Sequence, residues 1–175
     1  MRISVLGYSG SGKSTLSRTL GEKYSADVLH FDAIHWLPGW QMNTSEEKLR
    51  LTEEFLNSHD SWVIDGNYTK YFLERRLESS DEIILMLFNR FSCLLRVIKR
   101  RVEYSGRTRP DMGAGCEEKI DLDFLKWVLW EGRDRKKRQR FKEIAEKYPE
   151  KVTVIKNQRQ LDKYYDSNNL KRKSD

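Results

Sequence analysis

Cysteine is scarce in this sequence: Cys93 and Cys116 are the only two in 175 residues. They form neither a CxxC pair nor a metal-ligand cluster, so a disulfide scaffold and a thiolate zinc site are set aside. No apolar run approaches the roughly 20 residues of a membrane-spanning helix. The opening Met1–Gly7 stretch lacks the apolar core and cleavage site of a signal peptide. There is no internal repeat, no helix-turn-helix signature and no Ser-His-Asp arrangement. These absences lead us to expect a cytoplasmic protein with reduced thiols and no membrane partner.

What is present suits one folded domain spanning 1–175. Hydrophobic residues make up 38%, with five Trp, eight Tyr and seven Phe, too many for a disordered chain. The net charge is +6, but it is unevenly placed. Residues 90–140 hold 15 basic and 8 acidic side chains, a net +7; the rest holds 18 and 19, a net −1. Such a basic third can serve a nucleic acid, a membrane surface or a small polyphosphate, and composition does not choose among them.

Strand-like and helix-like stretches alternate, which predicts an α/β fold with a parallel sheet. Strands are expected at 2–6, 27–31, 61–65, 82–88 and 151–155. Helices are expected at about 13–24, 44–58, 68–78 and 91–102, then one capped by Asp121 with Leu122, Leu125, Val128 and Leu129 inside, a charged one after it to about Tyr148, and a last one capped near Asn157. The 33–43 stretch, with Pro38 and Gly39, reads as loop. The capping pair Thr44 and Glu47 should open its helix. In the 91–102 helix, Phe91, Leu94, Leu95, Ile98 and Val102 form the expected buried face, opposite Arg96, Lys99 and Arg100. The polar end from Ser167 is expected to fray.

The sharpest chemical signal is Gly7-Tyr8-Ser9-Gly10-Ser11-Gly12-Lys13-Ser14, a G-x-x-x-x-G-K-[ST] string between a strand and a helix. The glycines let backbone N–H groups turn around phosphate oxygens, and the following helix aims its positive dipole end at the same anion. Gly7, Ser9, Gly10, Ser11, Gly12, Lys13, Ser14 and Thr15 are thus expected to hold ATP, with Lys13 on the β- and γ-phosphates. Ser14 is expected to bind Mg²⁺, with Asp65 at the end of the third strand as its partner.

Asp32 ends the second strand, where a carboxylate can take the proton of an acceptor hydroxyl or hold it in line. His35 and Trp36, with Trp40, are expected to line the acceptor pocket, and Asn67 to contact the substrate. Residues 105–120 carry Arg107 and Arg109 among glycines and a proline. With Arg100 they read as a lid whose arginines neutralise charge on the transferring phosphoryl group.

These strings resemble the nucleoside monophosphate kinases of the adenylate kinase type. They are more similar still to the adenylate-kinase-related topology modulation protein (FlaR-like) family. The resemblance rests on His30-Phe31-Asp32, Leu37-Pro38-Gly39-Trp40, Trp62 to Tyr68, Gly106 to Met112, Gly115-Cys116 and Asp123 to Trp127. It implies a P-loop NTPase fold with a five-stranded parallel sheet flanked by helices, ATP and Mg²⁺ binding, and a lid. It also implies a kinase that moves the γ-phosphoryl group to a nucleotide, nucleoside or hydroxyl metabolite. The arginine that closes the corresponding Asp-Gly-Phe-Pro-Arg segment in those kinases is missing, because Asn67-Tyr68-Thr69 follows Gly66. The alternative expectation is a nucleotide-gated nucleic-acid binder acting on DNA topology, with residues 90–140 as its contact face.

Overall fold

The computed structural model describes residues 1–104, 106, 108–109, 111–113, 115–116 and 120–172. In chain order the elements are β1 (Arg2–Gly7), α1 (Lys13–Tyr24), β2 (Asp27–His30), α2 (Phe31–His35), β3 (Trp36–Leu37), β4 (Gln41–Met42), α3 (Ser45–Ser58), β5 (Trp62–Asp65), α4 (Leu73–Ser79), β6 (Glu82–Met86), α5 (Arg90–Glu103), α6 (Leu122–Leu129), α7 (Arg135–Lys147), β7 (Val152–Ile155) and α8 (Gln158–Ser167). Five strands form a parallel sheet in the order β2-β5-β1-β6-β7. β3 and β4 make a separate antiparallel hairpin.

The apolar runs of β1, β5 and β6 are buried on both faces, as parallel strands between helices require. Ile3, Val5, Val63, Ile84 and Met86 meet Leu16 and Leu20 of α1, Val97 of α5 and Tyr164 and Tyr165 of α8. On the opposite face Leu6, Ile83 and Leu85 meet Leu77 of α4 and Phe141 and Ile144 of α7. A third cluster, Phe31, Trp62, Ile64 and Tyr71, sits at the β2 and β5 edge. No helix among the described residues is long and apolar enough to cross a membrane.

Three local expectations are corrected. The 33–43 stretch is not plain loop: α2 and the β3–β4 hairpin occupy it, the chain reversing at Gly39 (φ 73°) and Trp40 (φ 63°). α4 begins at Leu73, not Tyr68, because residues 66–71 are spent on the site described below.

α5 turns a different face inward. Cys93 and Val97 are buried, while Phe91, Leu95 and Val102 are 68%, 68% and 76% exposed. The cause is the loop after β1. A Cβ on Gly10 would stand 2.6 Å from the Cys93 carbonyl oxygen and 2.8 Å from a Val97 methyl, so the loop and α5 touch backbone to backbone. That contact sets the helix rotation against its apolar stripe. Beyond α8 the chain keeps contacts with it. Leu170 is buried, its N–H donates to the Tyr165 carbonyl, and Arg172 pairs with Asp166. Residues 173–175 lie outside the described residues.

Candidate active site at the ends of the parallel strands

Among the described helices of eight or more residues, α1 alone starts without a side-chain cap. Thr44, Asn89, Asp121, Asp134 and Asn157 each cap a helix with a side-chain oxygen. α1 starts on Gly12 with no side-chain cap. Its first N–H groups and its dipole end are therefore left for an anion. The preceding loop is shaped to present one: Gly7 has φ 145° and approaches so closely that a Cβ would stand 2.2 Å from the Met86 carbonyl oxygen. Lys13 donates to the Tyr8 carbonyl at 3.2 Å across this loop. Ser11 is fully buried, and its hydroxyl oxygen has no protein partner.

Asp65 ends β5 and is buried beside the loop. Burial works to raise its pKa. A hydrogen bond from His30 Nδ1 at 3.1 Å, the charge of Lys13 and a bond with Ser14 outweigh that and hold it below the usual carboxylate range. The ionised carboxylate beside the Ser14 hydroxyl is a hard oxygen pair that suits Mg²⁺. Among the described residues no group of three His, Cys, Asp or Glu side chains is placed to hold a metal. The uncapped helix, the Lys13 ammonium and this oxygen pair fit a phosphate anion with Mg²⁺.

Asn67 lines the cleft and is also bonded to the loop. Its side-chain amide accepts from Gly7 N–H at 2.9 Å and donates to Gly7 C=O at 2.6 Å. With both ends of the amide bonded to one residue, it staples the loop start to the chain after β5. Arg76, buried in α4, draws in the same chain. It donates to the Tyr68 carbonyl at 3.0 Å and lies 4.5 Å over the Phe31 ring. Burial brings its pKa down to about 9, which leaves it charged at neutral pH.

Asp32, His35 and Trp36 all face the cleft with Trp40 and Tyr68. Tyr68 donates to Asp32 Oδ1 at 2.9 Å. His35 packs between Trp36 and Tyr68, with Lys48 Nζ 3.4 Å from its Nδ1. Burial first, then the Lys48 charge, lowers its pKa below 6.5. Ser9 accepts from Trp127 Nε1 at 3.2 Å, and Ser14 and Thr15 line the cleft beside it.

The arginine expectations divide. Arg100 lines the cleft with its guanidinium 5.9 Å from the Phe124 ring. Arg109 lines it too, but bonds Asp111 at 2.7 Å in a nearly buried ion pair. Arg107 lies outside the described residues. The described part of the 105–120 segment rests on the hairpin: Gly39 N–H donates to Gly115 C=O at 3.2 Å, and Cys116 Sγ to the Leu37 carbonyl at 3.2 Å.

Sequence reasoning missed five contributors. Arg96 donates to the Ser11 carbonyl and to Gln158, and Arg133 stacks 3.9 Å over Tyr8 while donating to the Phe88 carbonyl. His30, Trp127 and the buried Lys48 are the others. Only His30 had a legible signal, its place at the carboxyl end of a strand.

The cleft encloses about 1540 Å³, more than the roughly 300–1,000 Å³ of a single-ligand pocket. It has room for two substrates.

No family model matches the sequence, and no curated protein matches it. Solved structures do share its fold. TT1252 from Thermus thermophilus is 15% identical, with 95% of each chain covered and a TM-score of 0.55. Shikimate kinase from Acinetobacter baumannii, in complex with shikimate, is 16% identical over 97% of this chain and 95% of that one, with a TM-score of 0.52. Deoxyadenosine kinase from M. mycoides, with dCMP and dCDP bound, is 14% identical over 97% and 98%, with a TM-score of 0.50. The chain thus has the P-loop kinase fold: α/β, with five parallel strands flanked by helices.

Proposed function

We propose that this protein is an ATP-dependent small-molecule kinase. The observation that carries the proposal is the uncapped start of α1 behind a glycine loop, with a buried ionised carboxylate bonded to Ser14 on the neighbouring strand. The loop from Gly7 to Thr15 binds the donor phosphates. Lys13 leaves the Tyr8 carbonyl to neutralise charge on the transferring group. Ser14 and Asp65 would hold Mg²⁺, which when bound neutralises charge between the β- and γ-phosphates. Asp32 holds the acceptor hydroxyl and takes its proton. Arg100, which lines the cleft, helps neutralise the charge on the donor phosphates. Likeness in motif to the topology modulation proteins agrees with this reading and does not by itself point to DNA.

The basic third lends the nucleic-acid alternative little support. Arg96 and Arg133 are spent on the loop and on β6's exit, which takes two arginines of that third away from an outer contact face.

The test is a titration of ATP with Mg²⁺ into the protein and into Lys13→Ala, followed by a phosphorylation screen. Binding by the wild type, its loss in the variant and turnover with one acceptor are expected. Undiminished ATP affinity in Lys13→Ala sinks the assignment.

A further inference from the structure

We propose that the acceptor is an uncharged, hydroxyl-bearing ring compound, not a phosphate ester, seated against Trp36 and Trp40 with its reacting hydroxyl on Asp32. The inference rests on the kinase reading above and narrows its substrate.

The first argument is where positive charge has gone. The wall opposite the phosphate loop is made by residues 31–42, 66–72 and the described part of 108–116. Among the described residues of these segments, Arg109, Lys70 and His35 are the side chains that can carry positive charge. Arg109 is already neutralised by Asp111 at 2.7 Å, both side chains being a tenth exposed or less. Lys70 is exposed at the rim. His35 is pressed toward its neutral form by burial and by Lys48 behind it. Arg76, behind the same wall, is committed to the Tyr68 carbonyl and the Phe31 ring. An acceptor phosphate dianion seated here would instead meet the Asp32 carboxylate, a like charge. Phosphate recognition favours a forked arginine free to bond it. Here the wall's arginine is held by a carboxylate.

The second argument is what the wall offers in place of charge. Trp36 and Trp40 stand edge to face at 5.5 Å, and His35 and Tyr68 continue the aromatic surface. Trp40 holds a left-handed φ of 63°, a costly conformation for so bulky a residue. Such outliers gather at ligand clamps. Flat apolar faces beside one carboxylate suit a ring with C–H faces and hydroxyl groups. Tyr68 occupies Asp32 Oδ1 and leaves Oδ2 for the acceptor.

The chemistry then balances simply. The acceptor oxygen forms a bond to the γ-phosphorus as the bond from that phosphorus to the β–γ bridging oxygen breaks. ADP leaves with the bond's electron pair, and the hydroxyl proton passes to Asp32.

Matched pairs test the idea: a nucleoside and its 5′-monophosphate, and a cyclic polyol and its phosphate ester, each titrated calorimetrically into the full chain with ADP and Mg²⁺. We expect a neutral member to bind at least about tenfold tighter than its ester. Trp40→Ala should weaken that neutral ligand about tenfold and leave ADP affinity unchanged. The nucleoside and polyol arms tell which ring is preferred. Equal or tighter binding of the esters overturns the inference, and so does a panel in which no neutral ring binds. Turnover of phosphate esters alone would refute this inference and keep the kinase. Ring binding without ATP binding would refute the kinase and keep the pocket.

Discussion

Residues 7–15 and residues 31–42 line the same cleft and hold their shape by different means. The first segment is backbone work. Glycines approach neighbouring carbonyls too closely for any side chain, α1 begins uncapped, and the Asn67 amide binds Gly7 through both N–H and C=O. The second segment is side-chain work. A short helix and a two-residue hairpin carry Asp32, His35, Trp36 and Trp40, braced by Tyr68 and Lys48 and by the 108–116 segment lying on the hairpin. The lesson is that an invariant ligand part, a polyphosphate, can be met by main chain, whereas a particular acceptor needs particular side chains.

The largest expected effect separates the two halves. Lys13→Ala should lower phosphoryl transfer by about 10³-fold, by loss of charge stabilisation on the transferring group. Acceptor affinity, read by calorimetry, should stay within twofold, a small change set beside the tenfold that about 1.4 kcal/mol would bring. Acceptor affinity lost together with activity would mean that the halves are not separable.

Arg76→Ala attacks the support shared by both. Two carbonyls would lose a buried partner and a cavity would open beside Phe31. We expect a loss of about 3 kcal/mol in a denaturant titration. A cost near zero would show that the 66–72 chain holds itself.

Asn67→Ala should act mainly on the donor side. Freeing Gly7 ought to raise the KM for ATP by about tenfold, roughly 1.4 kcal/mol, with the KM for acceptor little changed. The opposite split would return Asn67 to the acceptor pocket.

His35 gives the acceptor side a pH signature. Its folded pKa lies below 6.5, with Lys48 and Asp32 as the charged groups facing it. As pH falls below 6.5 the unfolded chain takes up a proton that the folded chain resists, so stability should decline toward acid pH. His35→Gln should flatten that part of the curve, measured by thermal melts between pH 5 and 7.5, the range where an unperturbed histidine titrates. An unchanged slope would rule the contribution out.

The smallest effect is expected where the periodicity of the sequence pointed to core. Leu95→Gln on the exposed side of α5 should change stability by less than about 0.5 kcal/mol, while Val97→Ala should cost about 1–3 kcal/mol. Reversed values would mean that the apolar stripe is buried after all.

What could be read beforehand follows from the range of the interactions. The phosphate loop, the Thr44 and Asn157 caps and the runs of β1, β5 and β6 are set by neighbours a few residues away, so the chain declares them. Asp65 was legible because the carboxyl ends of parallel strands converge on one edge. Asn67 was not, since nothing local distinguishes an amide that will bind a backbone sixty residues earlier from one that will bind substrate. Lys48, just after Glu46 and Glu47 on a polar helix, reads as surface and is buried against His35 and Tyr71.

The sequence alone therefore determined the α/β order, the glycine loop and the carboxylate that ends β5, because each rests on local backbone geometry and period; Asp32, expected at the end of the second strand, lies in α2. Tertiary structure decided the rotation of α5, the start of α4, the fate of each arginine and the acceptor wall. Those depend on which surfaces meet across the sheet, where a single close contact, Gly10 against Cys93, can outweigh a stripe of four apolar side chains.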